Sequence, residues 1–304
     1  MEFSLKLTRS QRLSTAALFL LAAILLAVAA FFDLQIDQAL YAPDNPVAIV
    51  FEAFCYWPLY LPFALLGAVW TFLRRDNPSL HVLGEVLVVT TFFILCNQSL
   101  PNLADRGLLP LADTTVTFAA LVLTFVATVV MISLASRWDR PTLRRIEFLA
   151  KFGIALCVAD NIVINLLKVL WTRARFDDMT AAGNFSLFTP WYRFGAQSGN
   201  TSFPSGHTAA ACGVLALLLL PLLFERWQKR WGALLAGCVA YIAVSGLCRM
   251  VMGRHFLSDT VAAAVIMGLL FLLLTHTPQF ACGLARATAP EPEQKEKGDD
   301  PAES

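Results

Sequence analysis

Three short stretches of an otherwise apolar chain hold the side chains best suited to chemistry on phosphorus. The first contains Lys168 and Arg175, seven residues apart. In a continuous helix that is two turns, which puts both cations on one face, and Asn161 and Asn165 extend the face upstream. A lysine near a helix end can equally serve by reaching to the membrane interface. The second stretch, Ser202-Phe203-Pro204-Ser205-Gly206-His207, reads as a helix start, with Pro204 in the first turn and Gly206 permitting close approach. Free N–H groups and the helix dipole make such a start an anion site. The third runs from Cys248-Arg249 to Gly253-Arg254-His255, with Asp259 four residues after His255. On a helical turn that spacing brings a carboxylate to an imidazole, where it fixes the tautomer, although Ser258 or Asp259 could instead cap a helix.

Cations and N–H groups converging on one spot suit a phosphate or pyrophosphate, because phosphoryl transfer demands mainly positioning and charge stabilisation. One histidine can attack phosphorus while the other protonates the leaving oxygen. The histidine with a carboxylate partner is the one kept as an oriented neutral ring. We therefore expect His255 as nucleophile, Asp259 as its orienter and His207 as general acid, with water completing a second step. No acidic cluster suited to Mg²⁺ stands beside the histidines, so no metal or cofactor is expected.

The elements that position these residues must lie in lipid. The chain has 304 residues, 57% hydrophobic and 15% charged, against roughly 25% charged in soluble domains. A net charge of +1 without a Lys/Arg block argues against nucleic acid as a partner. Seven scattered cysteines form neither a disulfide framework nor a zinc pattern. Eight apolar segments approach the ~20 residues needed to cross a bilayer, at about 13–32, 47–73, 82–100, 115–135, 148–170, 208–224, 232–247 and 260–275. The first is read as a retained helix rather than a cleaved signal. The expected fold is an all-α polytopic membrane helix bundle. Loops with Arg74 and Arg75, with Arg137 to Arg145, and with Arg226 to Arg230 share the side of the basic N-terminus, which makes that side cytoplasmic. All three reactive stretches then fall on the opposite side. So do Arg173, Arg175, Arg193, Arg249 and Arg254, against the topology rule, which reads as a functional demand for positive charge. His81 and His276 sit at cytoplasmic helix ends as interfacial residues, and Asp160 is expected to face the bundle interior.

Lys168 to Arg175, Pro204-Ser205-Gly206-His207, and Arg249 followed by His255 and Asp259 resemble the three-part signature of the type 2 phosphatidic acid phosphatase superfamily, shared with bacterial acid phosphatases and vanadium haloperoxidases. The resemblance implies a six-helix core at 81–277, preceded by two added helices at 1–80. It also implies that Lys168, Arg175 and Arg249 hold the phosphate and that Ser205 and Gly206 cradle it. Residues 278–304, rich in Glu, Lys and Asp with almost nothing to bury, read as a disordered cytoplasmic tail. The activity implied by the resemblance is metal-independent hydrolysis of a lipid phosphate or polyprenyl pyrophosphate through a phosphohistidine. A lipid-to-lipid phosphotransferase and a non-catalytic binding or transport protein are the alternatives. Phe176 stands where the family usually has Pro, which bears on the shape of the access loop, and Cys248 stands where it usually has Ser. Between Trp171 and Thr201 seven aromatic residues suit a loop at the membrane interface, where a lipid-anchored substrate could enter.

Overall fold

A recurring start signal builds the helices. Asn45 before Pro46, Asn77 before Pro78, Asp139 before Arg140-Pro141 and Thr277 before Pro278 each cap the following first turn with a side-chain oxygen, while the proline presets its φ. The computed structural model describes residues 8–195 and 200–290, and every regular element among them is helical. In chain order these are α1 (Arg9–Leu40), α2 (Pro46–Phe54), α3 (Trp57–Leu73), α4 (Pro78–Asp105), α5 (Asp113–Ala135), α6 (Arg140–Trp171), α7 (Phe176–Ala182), α8 (Gly206–Ala211), α9 (Leu220–Leu223), α10 (Trp231–Val251), α11 (Leu257–Thr275) and α12 (Pro278–Thr288). Eight stretches among the described residues are long and apolar enough to cross a membrane, as the sequence led us to expect. Phe31, Phe118, Phe125, Val169 and Leu273 stand exposed on their outer faces, a costly arrangement in water and an undemanding one in lipid. The chain is an all-α, polytopic membrane bundle.

Two spans are less regular than their apolar runs suggest. The second breaks at Cys55 and Tyr56, so that α2 and α3 share one crossing. The sixth starts as α8, tightens into a 3-10 stretch at Cys212–Leu219 and ends as α9. Gly213 within it lies so close to α3 that an added Cβ would meet the Pro58 and Leu59 backbone at 2.7 Å. Only a glycine fits there. Leu59, Phe152, Leu156, Leu219, Met267 and Phe271 form the principal core, which joins α3, α6, the sixth span and α11.

The second crossing is embedded in the bundle, whereas the first lies on its outside and is buried mainly at Ala29, Asp33 and Asp37. α1 runs along α11, α2 packs on α10, and α3 lies against both α4 and α6. The tail expected to be disordered from residue 278 is corrected over its first part. Residues Pro278–Thr288 form α12, which places Phe280 against Phe148 and Phe152 at ring separations of 5.3 and 5.7 Å. Its apolar stripe supplies the burial that composition alone concealed. The acidic remainder, from residue 291, lies outside the described residues.

Candidate active site

The C-terminal ends of α6 and α10 and the N-terminal ends of α8 and α11 meet at one end of the bundle, bringing together residues more than ninety positions apart. Lys168 and Arg175 arrive there by a different route from the one expected. α6 ends at Trp171, Thr172 turns into the left-handed region at φ 42°, and Arg175 begins a second helix as the N-cap of α7. They do not share a helix face; a turn joins them. Lys168 packs against the Pro-Ser-Gly-His stretch, where a Cβ on Gly206 would come within 3.0 Å of its Nζ. Arg175 donates from Nη2 to the Thr201 hydroxyl at 3.2 Å. Ser205 caps α8 by accepting from Thr208 N–H, and its own N–H donates to the Asp259 carbonyl at 3.1 Å. Its polar groups therefore clip α8 to α11 and hold Gly206 and His207 in place.

His255 is 2% exposed, and its Nδ1 lies 2.7 Å from the Ser202 carbonyl oxygen. A carbonyl can only accept, so Nδ1 carries the proton and Nε2 keeps a free lone pair. Burial holds this imidazole neutral by pushing its pKa down to about 4, the Asp259 carboxylate opposes that, and the Arg249 and Lys168 cations reinforce it. Asp259 stands 3.7 Å from Nδ1, beyond hydrogen-bond reach. Its Oδ2 instead accepts from the Ser202 hydroxyl at 2.6 Å and from Phe256 N–H at 3.0 Å. The carboxylate thus orients the ring at one remove, by holding the residue whose carbonyl receives the ring proton. Gly253, at φ 69°, allows the turn ahead of His255, and a Cβ there would strike the Tyr41 ring at 2.6 Å.

His207 is half-buried, its ring 4.9 Å from that of Tyr56. Arg249 is 4% exposed and is held by Glu52 of α2, which accepts from its Nη1 at 2.7 Å and pairs with Arg106 at 3.1 Å. The buried Nε atoms of Arg249 and Arg175 have no hydrogen-bond partner among the described residues. Two unused donors on cations beside a neutral imidazole suit an anionic ligand.

Arg173, Asp33, Glu52 and Ser202 carry parts of this geometry that sequence reasoning did not assign. Arg173 is buried and bridges Asp33 and Asp259, at 2.9 and 2.6 Å. Arg254 pairs with Asp177 at 2.9 Å. The surplus of arginine at this end is therefore partly neutralised by acids rather than wholly free for a ligand. A signal was present, because an acid such as Glu52 inside an apolar segment needs a partner. Phe176 is 2% exposed and packs edge-on to Tyr41 and Phe256, so it seats the end of α1 rather than shaping an opening. Cys248 faces Ala48, Ile49 and Met252 in an apolar cluster shared with α2.

The chain is thus a polytopic membrane protein that gathers two imidazoles, three cations and a glycine-opened helix start at one end of its bundle. Residues 148–281 match the PAP2 superfamily, and this segment holds every one of the nominated site residues. A lipid A 1-phosphatase from Rhizobium etli is 32% identical over 149 residues, covering 48% of this chain and 57% of that protein. The chain thus spans little more than half the length of the relative it matches. No solved structure matches the chain.

Proposed function

We propose that the protein is a lipid phosphatase working through a phosphohistidine. Nε2 of His255 attacks phosphorus, a P–N bond forms, and the bond to the lipid oxygen breaks as that oxygen takes a proton from the protonated ring of His207. Water then attacks phosphorus while the now neutral His207 accepts its proton. The P–N bond breaks, inorganic phosphate leaves and both rings return to their starting states. Lys168, Arg175 and Arg249 hold the phosphoryl oxygens, with Gly206 letting the backbone come close. Asp259 and Ser202 keep the His255 ring in its reactive tautomer.

The observation that carries this reading is the His255 Nδ1 contact with the Ser202 carbonyl, which leaves Nε2 as a buried, unprotonated nucleophile beside cations that other anions do not fully occupy. The same end of the bundle lies opposite the loops rich in Lys and Arg, which supports a non-cytoplasmic site. The Rhizobium etli relative makes lipid A phosphates the first substrates to try, before phosphatidic acid and polyprenyl pyrophosphates.

The test offers these lipids to purified protein in detergent with chelator present, beside His255→Ala as the blank. Phosphate release by the wild type alone, with an acid-labile phosphoenzyme, is expected. Undiminished turnover by His255→Ala overturns the assignment, and label passing to a second lipid instead of to solution makes it a phosphotransferase.

A further inference from the structure

The segment that matches the superfamily begins at residue 148, yet two carboxylates at its catalytic end come from far upstream. Asp33 of α1 is the more deeply set, at 1% exposure in a helix whose other faces mostly meet lipid. Its Oδ1 accepts from Ser258 N–H at 3.0 Å, and its Oδ2 accepts from the Ser258 hydroxyl and from Arg173 Nη2 at 2.9 Å. Arg173 is equally buried, and all its nitrogens are engaged. Nε donates to the Thr189 carbonyl at 2.8 Å, and Nη1 donates to Ser258 Oγ at 2.7 Å and Asp259 Oδ1 at 2.6 Å. Its guanidinium also lies 4.1 Å from the centroid of the Phe256 ring. A planar fork fixed on every side has a single orientation.

The chain of contacts continues to the nucleophile. Arg173 fixes one oxygen of Asp259, the other oxygen fixes the Ser202 hydroxyl, and the Ser202 carbonyl receives the Nδ1 proton of His255. Asp33 touches neither His255 nor any of the phosphate-holding cations directly. It sits at the far end of this relay, where it supplies the second anion that Arg173 spans. Without Asp33 the Arg173 Nη2 loses its acceptor and its charge is balanced by Asp259 alone, and a buried carboxylate whose partner shifts moves with it or takes up a proton.

We propose that Asp33 is a positioning residue for this reaction, acting through Arg173 to hold Asp259 and Ser202 where they keep the His255 ring proton on Nδ1. On this view α1 is a working part of the site, although it lies outside the matched segment. The inference rests on the reading of His255 as the nucleophile.

The experiment uses the full chain in detergent with lipid A or phosphatidic acid, whichever turns over faster, and inorganic phosphate as competing anion. Asp33→Asn keeps the shape and removes the charge. It should lower kcat by about tenfold or more, the usual loss for a group that orients a reacting ligand, while KM and the inhibition constant for phosphate stay within about twofold. The unchanged phosphate affinity certifies an intact cation pocket, so a misfolded variant is recognised by its loss. Should Asp33→Asn fail that check, the Arg173→Met background decides the matter, because there the addition of Asp33→Asn should cost nothing further. A kcat equal to wild type in Asp33→Asn, or losses that multiply in the double variant, overturns the proposal. Activity surviving in His255→Ala marks a different failure, that of the underlying mechanism.

Discussion

Glu147 and Glu52 each tie an N-terminal crossing to the rest, at opposite ends of the bundle, and the two differ in what they hold. At the end bearing the basic loops, Glu147 of α6 accepts from Arg74 at 2.9 Å, from the Trp70 indole at 3.0 Å, and from Lys151 at 2.8 Å. The two cations there are 39% and 53% exposed. At the other end Glu52 of α2 holds Arg249, which is almost wholly buried and keeps its Nε unused. Water screens the first cluster and makes it a fastening of small strength. The Glu52–Arg249 pair is buried, so its geometry is enforced, and the Arg249 Nε has no partner among the described residues. The same residue type, in the same kind of contact, holds exposed cations at one end and, on the function proposed above, readies an anion site at the other.

The contrast can be broken at several points. His255→Ala should reduce phosphate release to the blank of the assay, since loss of a nucleophile removes the whole covalent route. Glu52→Gln should lower kcat/KM by roughly 10- to 100-fold with the loss mainly in phosphate affinity, because Arg249 is then free to turn; this is the reverse of the split expected for Asp33→Asn. Gly253→Ala should destabilise the protein by about 1–3 kcal/mol, from the forced positive φ alone, and a thermal midpoint measured in detergent checks it. Acidification should weaken the folded state through His255. Its folded pKa, about 4, lies below the ~6.5 of an unfolded histidine, so the stability is fully present above about pH 6.5 and is lost as pH falls through that window to about 4. The midpoint should therefore drop less on acidification in His255→Ala than in the wild type. Smallest of all, Glu147→Gln should change stability by at most about 1 kcal/mol and leave turnover alone. A large loss of activity from Glu147→Gln would erase the distinction between the two ends.

Local patterns in the sequence carried most of the architecture. Apolar runs gave all eight crossings, and the order Lys168, His207, His255 located the segment that later matched the PAP2 superfamily. What stayed hidden was set by contacts between distant parts of the chain. Helical spacing suggested that Lys168 and Arg175 share a face, but nothing local announced the left-handed Thr172 that ends α6 between them. A separation of four made Asp259 the obvious partner of His255, yet Ser202, 53 positions away from His255, provides the acceptor. The first apolar run ends near residue 32, whereas α1 continues through Asp33 and Asp37 to Leu40 and buries both. Spacing reads one helix at a time, and the site is assembled across seven.

The close seat of Gly213 on the backbone of Pro58 and Leu59 has a practical consequence for anyone dividing this chain. That contact leaves no gap for lipid or detergent to fill when the first eighty residues are cut away, so a truncated catalytic fragment would present a bare strip of main chain where α3 had been. Shortened chains beginning after α3 are poor material for enzymology, and swapping leading segments between relatives succeeds only if the donor brings its own matching ridge.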